Sequence, residues 1–374
     1  MADTQTAPTV PFEVASQYST RPSFQSQPVT LGASQQTLTP FQIPAVGYLN
    51  GILLEVSLTS TGGTTPLLAA DAPWSVIQSI NFRNAAGVNL IAPVTGFQLF
   101  CMNLLGGQMP GGEGRYADPR LKRYTAGTPG SAPVSAGSFF LWLPLGIDAS
   151  EAYGAVPALA SNANYQVELT LAAAAAVSSG APTLTAQVAA TAHYFDVPAS
   201  VDEQGIAQAN VPPGTPAASI WQVEQPTVSP GTQLVQSFNV GNFIRQHILI
   251  LRNSSGARIE VNGWPNLLEL YLDNQPRFSF RKSEFENLLS GWYNLDTVTK
   301  DVAGAMPTGV FAIPYHALLA GTSGDPMNTR AQILPTLNAT LLQFRAQDFG
   351  SAVSKLEIIT NSISSTNSAF LYSK

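Results

Sequence analysis

The sequence predicts an all-β protein built from two consecutive domains of the same kind. Its length, its composition and a repeated series of strand patterns lead to this prediction. The chain has 374 residues, which suits two domains. Charged residues make up only 11% of it, against about 25% in an average soluble domain. The 18 Phe, 11 Tyr and 5 Trp exclude general disorder. A polar but uncharged surface, with short strands joined by turns and long loops, fits this composition.

Charge and cysteine content exclude several classes of protein. The formal net charge is −6 and the sequence pI is about 5.1, whereas a protein that coats nucleic acid needs a basic stripe. We therefore expect no specific nucleic-acid binding. The single cysteine, Cys101, excludes intrachain disulfides and cysteine-cluster metal sites, and its apolar neighbours predict a small buried side chain.

The N-terminal segment, residues 1–30, is polar and aperiodic, and we interpret it as an extended arm. It contains no apolar run like the core of a signal peptide. The apolar run Leu169–Val177 is about half the length of roughly 20 residues that a membrane span needs. We therefore predict no secretion signal and no membrane span.

Residues 31–199 are predicted to form the first domain. One helix is expected, because apolar residues follow helical spacing over Val94–Leu105 and the pattern stops at Gly106 and Gly107. A Gly- and Pro-rich loop, Gln108–Gly137, follows it. The predicted strands are Leu38–Ile43, Ile52–Thr59, Val76–Phe82, Phe139–Leu145, Tyr165–Leu171 and Thr183–Val197.

A Pro- and Gly-rich linker at 200–218 separates this domain from a second one at 219–374. The second helix is predicted from a capping box of Ser283 and Glu286, with an apolar face before Gly291. A second long loop is expected at Asn294–Thr308. The predicted strands are Leu234–Val240, His247–Arg252, Leu267–Leu272, Val310–Pro314, Leu337–Phe344 and Lys355–Tyr372.

Three landmark pairs relate the two halves. Trp74, preceded by proline, matches Trp264, followed by proline, at an offset of 190. Pro144 and Pro314 end matching strands at an offset of 170, and strands that begin near Asn164 and Asn338 match at 174. Both halves have the order of three strands, a helix, a long loop and three strands. We interpret this order as a duplicated domain.

In this order the sequence resembles the double jelly-roll major capsid proteins, in particular those of tectivirus-like bacteriophages with an internal membrane. The resemblance is architectural, covers about residues 31–374, and carries no residue-level motif. It implies two consecutive jelly-roll β-barrels with short helices and long loops. It also implies a homotrimer that forms a pseudo-hexagonal capsomer of an icosahedral double-stranded DNA virus.

The resemblance implies further partners and a location. Neighbouring capsomers and penton and minor capsid proteins would contact the chain, and the N-terminal arm would face the internal viral membrane. The protein would belong to the virion and be assembled in the host cytoplasm. Low charge suits such a role, because identical neighbours then bring few like charges together.

No residue pattern predicts a catalytic residue, a metal site or a cofactor. The histidines His193, His247 and His316 lie in or beside predicted strands without a metal-ligand neighbour, which favours structural roles. The acids form two loop pairs that we interpret as solvated rather than catalytic: Asp148 with Glu151, and Asp202 with Glu203.

Basic residues cluster in two places. One cluster is interleaved with Tyr116 and Tyr124, and a solvated loop or an intersubunit ion-pair site explains it better than nucleic-acid binding; it comprises Arg115, Arg120, Lys122 and Arg123. The second lies at the predicted helix start beside Glu284 and Glu286, where local pairing explains it; it comprises Arg277, Arg281 and Lys282. The glycine pairs at 106–107 and 111–112 are interpreted as turn residues.

Two other functions compete with a coat protein. A β-rich receptor-binding, fibre or other minor virion protein shares the composition, but such fibres tend to show short repeats or coiled coils. A lectin or carbohydrate-active enzyme could use the same scaffold, since fold alone does not fix function. No clustered aromatic and acidic site supports the latter.

Overall fold

In the computed structural model, the described residues form three α-helices and twenty strands. The described ranges are 9–61, 69–84, 86–108, 137–147, 152–159, 165–180, 182–214, 217–302, 304–315 and 333–364. All statements below concern these residues.

The first half contains two helices and eleven strands. The helices are α1 (Phe12–Ala15) and α2 (Gly96–Gly106). The strands are β1 (Tyr18–Gln25), β2 (Val29–Thr30), β3 (Gln36–Thr37), β4 (Phe41–Gln42), β5 (Gly47–Thr61), β6 (Ile77–Arg83), β7 (Asn89–Val94), β8 (Gly137–Pro144), β9 (Val156–Ala158), β10 (Gln166–Leu171) and β11 (Thr183–Phe195).

The second half contains one helix, α3 (Lys282–Tyr293), and nine strands. They are β12 (Ala218–Glu224), β13 (Gly231–Ser237), β14 (Phe243–Arg252), β15 (Leu267–Leu272), β16 (Gln275–Arg281), β17 (Val310–Pro314), β18 (Leu334–Pro335), β19 (Leu342–Phe349) and β20 (Lys355–Ser364).

Each half folds into a barrel of two facing sheets with the same strand order. The sheet that we call the front sheet has the order β1-β11-β5-β8 in the first barrel and β12-β20-β14-β17 in the second. The back sheet has the order β7-β6-β10 in the first barrel, with β3 and β4 beside β10, and β16-β15-β19-β13 in the second. Each principal strand of one barrel therefore has a counterpart in the other, which confirms the predicted duplication. Both helices follow the strand at one end of the back sheet.

A β-bulge lies at the same place in both barrels. In the first, Asn50 has no partner across from β11, and the next residue, Gly51, lies opposite Pro144. In the second, Arg245 is unpaired with β20, and the next residue lies opposite Pro314. The predicted proline pair thus marks equivalent positions, because each proline ends the strand beside the bulge.

The tryptophan pair is also equivalent in three dimensions. Trp74 stacks on Phe100 of α2, with ring centroids 4.0 Å apart. Trp264 contacts Phe285 of α3 edge-on at 5.9 Å and stacks on Phe311 of β17. In each barrel a tryptophan before the equivalent strand, β6 or β15, therefore anchors the helix to the core.

The two barrels share one continuous sheet. The front sheet of the second barrel joins the back sheet of the first, because β12 pairs with β7 in parallel at Trp221 and Ile91. Ten strands of the described chain belong to this sheet, counting β4 and β18 at its sides. The barrels are therefore connected by a shared sheet as well as by the chain that runs from one to the other.

The predicted arm is wrong for its described part, residues 9–30. β1 pairs along its length with β11, β2 pairs with the same strand, and Phe24 stacks on Phe41 with centroids 4.4 Å apart. Alternation is weak in this segment and Pro22 interrupts it, so the sequence looked irregular. A proline is tolerated there because β1 is an edge strand.

Strands β1, β7, β12 and β16 were all missed by the sequence reading. When β3 and β4 are counted together as the second principal strand, β1 and β12 are the first principal strands and β7 and β16 the fifth. The same two strands of the jelly-roll order were therefore missed in both barrels. Ala218, placed at the end of the linker, begins β12. The domain boundaries themselves stay a prediction.

Helix α3 differs from its prediction at both ends. The backbone N–H of Arg281 donates to the Glu284 carboxylate at 2.8 Å, so Glu284 rather than Glu286 closes the capping box. The helix continues through Gly291 to Tyr293 and ends where Asn294 adopts a left-handed conformation (φ 50°).

Candidate functional site: the junction between the barrels

Helix α2 is enclosed between the two barrels. All eleven of its residues are buried, and its polar Gln98 and Asn103 are no exception. On the other side, all ten residues of β14 are buried. The strand predicted at His247–Arg252 is therefore buried on both faces, because the outward face of β14 is covered within the same chain.

Trp221 of β12 fills the point where the helix, the shared sheet and β14 meet. Its side chain is completely buried. Its ring lies close to Gly106, the last residue of α2, where a Cβ atom would be 3.4 Å from two ring atoms. The same Cβ position is 3.8 Å from the Gln246 side-chain nitrogen. A tryptophan at this position can stabilise the junction by several kcal/mol, about 3–5.

An ion-pair network crosses the junction. Arg252, at the end of β14, contacts Asp71 of the first barrel and Glu357 of β20, each with an N–O distance of 2.8 Å. Arg258 contacts Asp71 and Asp301, each at 2.7 Å. The carboxylate of Asp71 thus joins two arginines of the other barrel, and network pairs of this kind are stronger than isolated surface pairs.

The network continues into α2. The amide nitrogen of Gln98 donates to the Glu357 carboxylate at 3.0 Å, and the guanidinium of Arg258 lies 4.6 Å from the centre of the Phe97 ring. Burial opposes the charge of Arg252, but its two carboxylate partners outweigh burial and raise its pKa. Burial raises the pKa of the neighbouring Cys101 thiol, which agrees with its predicted role as a buried apolar side chain.

A second polar network, which we call the seam, lies at the other end of α2. The bulge residue Arg245 donates to Asn361 Oδ1 at 3.2 Å, and Asn361 donates to the hydroxyl of Ser219 at 3.0 Å. Gln108, just after α2, donates to the Gly146 carbonyl at 2.9 Å and, across the junction, to the Ser219 hydroxyl at 3.4 Å. All five side chains and backbone groups are buried, so the seam fixes one arrangement of the barrels.

The histidines do not form a site together. His247 is fully buried, and its Nδ1 lies 2.7 Å from the Tyr315 hydroxyl. His193 lies on β11, where its Nδ1 contacts the Tyr18 hydroxyl and its ring packs edge-on against Trp142. Burial lowers both histidine pKa values. Structural roles fit both, and His316 lies outside the described residues.

Of the two predicted acidic pairs, Asp202 with Glu203 lies within the described residues. Asp202 accepts two backbone hydrogen bonds, from Gln204 and Ile206, which makes it a turn residue beside the exposed Glu203. The cluster at 115–124 and both Asp148 and Glu151 lie outside the described residues. That this chain has no catalytic residue stays a prediction.

Local pairing explains part of the cluster at the start of α3. Lys282 contacts Glu260 at 2.9 Å and Glu286 at 3.6 Å, and Lys300 contacts the same two carboxylates. Burial opposes the charge on Glu260, but its hydrogen bonds and both lysines outweigh burial and lower its pKa. Arg277 and Arg281 are exposed on β16.

The sequence reading missed the residues of the junction. Asp71 and Arg258 are far apart in sequence, and no motif connects them. One signal was present: Arg252 ends an apolar strand in a chain with few charges, and a charge in such a place needs a partner. In the described ranges, no group of three or more possible metal ligands occurs, and no helix has the length and hydropathy of a membrane span.

No protein-family model matches the chain, and no curated protein sequence does. Several solved structures are similar to this chain over nearly the whole length of both chains. The capsid protein of Sulfolobus turreted icosahedral virus superposes with a TM-score of 0.65 at 13% identity, covering 93% of this chain and 96% of that one. The PBCV-1 capsid protein gives 0.60 at 12%, covering 97% and 95%. The Faustovirus major capsid protein gives 0.55 at 9%, covering 97% and 92%.

The chain is a double jelly roll. In each barrel the first principal strand pairs with the last, β1 with β11 and β12 with β20, as expected for eight strands in two Greek keys. The predicted fold class is thereby confirmed. At identities of 9–13%, the likeness concerns the fold alone.

Proposed function

We propose that this double jelly roll is the major capsid protein of an icosahedral double-stranded DNA virus. One observation carries the proposal: two equivalent barrels, fixed to each other by a shared sheet, extend over more than nine-tenths of the chain in the same way as in three viral capsid proteins. The role is structural, without a catalytic step.

Three such chains give a pseudo-hexagonal capsomer. Each chain supplies two similar barrels, so a closed ring of three chains has six similar corners. A ring of this kind tiles a facet with one gene product. The duplication within the chain is what makes a trimer look six-sided to its neighbours.

The distribution of charge supports packing against identical copies. Only 11% of the residues are charged, and several of the basic side chains are engaged inside the chain, among them Arg252, Arg258, Lys282 and Lys300. Few charges are then left to meet their own copies across symmetric contacts, where like charges repel.

The proposal includes further partners. They are neighbouring capsomers and penton and minor capsid proteins in the virion, after assembly in the host cytoplasm. A tectivirus-like bacteriophage with an internal membrane is the proposed kind of virus. Residues 9–30 pack on the first barrel, so they do not support the idea of a free arm that reaches this membrane.

The mass of the purified chain tests the proposal. Light scattering is expected to give about 120 kDa, three times the 39.5 kDa of one chain. In virus particles from the source, the chain is expected to be the most abundant protein. A stable monomer of about 40 kDa would contradict the trimer, and a few copies per particle would favour a fibre or minor protein.

A further inference from the structure

The junction between the barrels contains a buried glutamine whose amide group is unpaired. Gln246 follows the bulge residue of β14, and its side chain is completely buried. Within the described part of the chain, neither the nitrogen nor the oxygen of its amide forms a hydrogen bond. Burying an amide without hydrogen bonds is unfavourable, and nearly all buried polar groups of proteins are bonded to protein or to ordered water. A partner that is not a protein group is therefore expected at Gln246.

A second unpaired group lies beside this amide. Trp221 is also completely buried, and its indole nitrogen forms no hydrogen bond with any described residue. A Cβ atom placed on Gly106 would be 3.4 Å from Trp221 Cζ2, which neighbours the carbon bonded to that nitrogen. The same Cβ position is 3.8 Å from Gln246 Nε2. Both unpaired side chains thus approach the end of α2 at Gly106, where the helix has no side chain of its own.

Other polar groups surround the two side chains. Asn361 of β20 lies between them, because it is opposite Trp221 of β12 and opposite Gln246 of β14. Its own amide is fully used, since it donates to Ser219 and accepts from Arg245. Helix α2 ends here as well, and the last carbonyl groups of a helix have no partner inside the helix. The surroundings are therefore polar enough to hold a small polar molecule.

We infer that the junction binds an ordered water molecule at the end of α2, which links the Gln246 amide to the indole N–H of Trp221. The indole N–H donates to the water oxygen, and a hydrogen of the water is donated to the Gln246 side-chain oxygen. The side-chain oxygen of Gln108 is a further acceptor in the seam, because it is buried and has no hydrogen bond with a described residue. A buried water with two to four such partners is a stable part of a fold.

The chemistry of the two side chains selects water among small ligands. An indole nitrogen donates and has no lone pair to offer, so it does not bind a metal ion. An anion accepts from the indole and from the amide nitrogen, but it leaves the amide oxygen of Gln246 unpaired. An apolar molecule leaves all three atoms unpaired. Water both donates and accepts, and it therefore suits the indole and both ends of the amide.

A crystal structure of the purified chain at a resolution that shows ordered water tests the inference directly. Density for a water oxygen is expected within hydrogen-bond distance of both the Gln246 amide and Trp221 Nε1, in every copy of the chain. Gln246→Met keeps the length of the side chain and removes its amide, so this density is expected to disappear. Ile248→Met, on the same buried face of β14, is a matched control that is expected to keep it.

Urea unfolding at a fixed protein concentration gives an independent test. With water bound, Gln246→Met leaves the indole N–H of Trp221 buried and unpaired, so its unfolding midpoint is expected to fall below that of the wild type and of Ile248→Met. If the amide instead has no partner, an apolar side chain of similar shape removes an unfavourable group, and the midpoint rises. A midpoint at or above that of the wild type, or wild-type density without a water at this place, would overturn the inference. The wild-type density alone decides if Gln246→Met does not fold.

Discussion

At the scale of single residues, the chain uses equivalent positions for different purposes. Asn50 and Arg245 occupy the same bulge; the buried side chain of Asn50 lies against Gly146 within the first barrel, whereas the side chain of Arg245 reaches Asn361 in the seam between the barrels. The bulge is kept because it bends the strand, while its side chain follows the local environment. Positions on the outer face of the second barrel therefore became core residues of the junction.

A buried histidine links stability to acidity. Burial lowers the pKa of His247 to about 3, while an unfolded histidine titrates near 6.5. Between these values the unfolded chain binds a proton that the folded chain does not. The free energy of unfolding is thus expected to fall by up to about 1.4 kcal/mol per pH unit as pH decreases below 6.5, or about 2 kcal/mol at pH 5.

The His247→Gln variant isolates this contribution. Urea unfolding at a fixed protein concentration, measured from pH 7 to pH 5, should show a shallower loss of stability in the variant than in the wild type. The variant is expected to be less stable at pH 7, because it loses the contact with Tyr315, so the slope is the relevant quantity. Parallel curves would show that His247 does not titrate on unfolding.

At the scale of elements, most strands could be predicted from sequence, but the first and fifth principal strands of each barrel could not. The long central strand β5 alternates, with Leu54, Val56 and Leu58 fully buried, and this pattern is visible in the sequence. β1 and β16 contain Pro22 and Pro276, and few of their residues are buried, so neither alternation nor propensity distinguishes them from loops. The edge strands β1 and β16 are stabilised by pairing with a neighbouring strand rather than by burial, and a single sequence does not show which strands pair.

Two glycines give opposite predictions for alanine substitution. Gly291 lies inside α3, where a Cβ atom meets nothing within 4 Å, so Gly291→Ala is expected to raise the free energy of unfolding by about 0.5–1 kcal/mol through helix propensity. Gly51 lies under Trp142, where an added Cβ would be 2.1 Å from the nearest ring atom, so Gly51→Ala is expected to lower the free energy of unfolding by about 1–3 kcal/mol. Chemical denaturation of both variants measures the difference; equal effects would contradict the packing described here.

At the scale of the whole molecule, the order of elements was predictable but the junction was not. The landmark tryptophans and prolines indicated two copies of one domain because each copy must build its own core. The contacts of Asp71 with Arg252 and Arg258 depend on how the two barrels face each other, which follows from tertiary packing rather than from any local pattern. The candidate site was therefore found only in the structure.

The shared sheet predicts that the barrels unfold together. Breaking one barrel removes the partner strand, the ion pairs and the helix cover of the other, so neither is expected to persist alone. Differential scanning calorimetry should show a single transition that coincides with the loss of far-UV circular dichroism. Two separate transitions, one for each barrel, would contradict this coupling.

In the proposed shell, the parallel pairing of β12 with β7 has a geometric consequence. Two barrels that are joined by one continuous sheet resist bending at the connection between them. Wherever the surface of the shell turns from one facet to the next, the change of direction then falls on contacts between separate chains. Such contacts consist of side chains and loops, which adapt at low cost, so one rigid chain can serve both flat and angled surroundings.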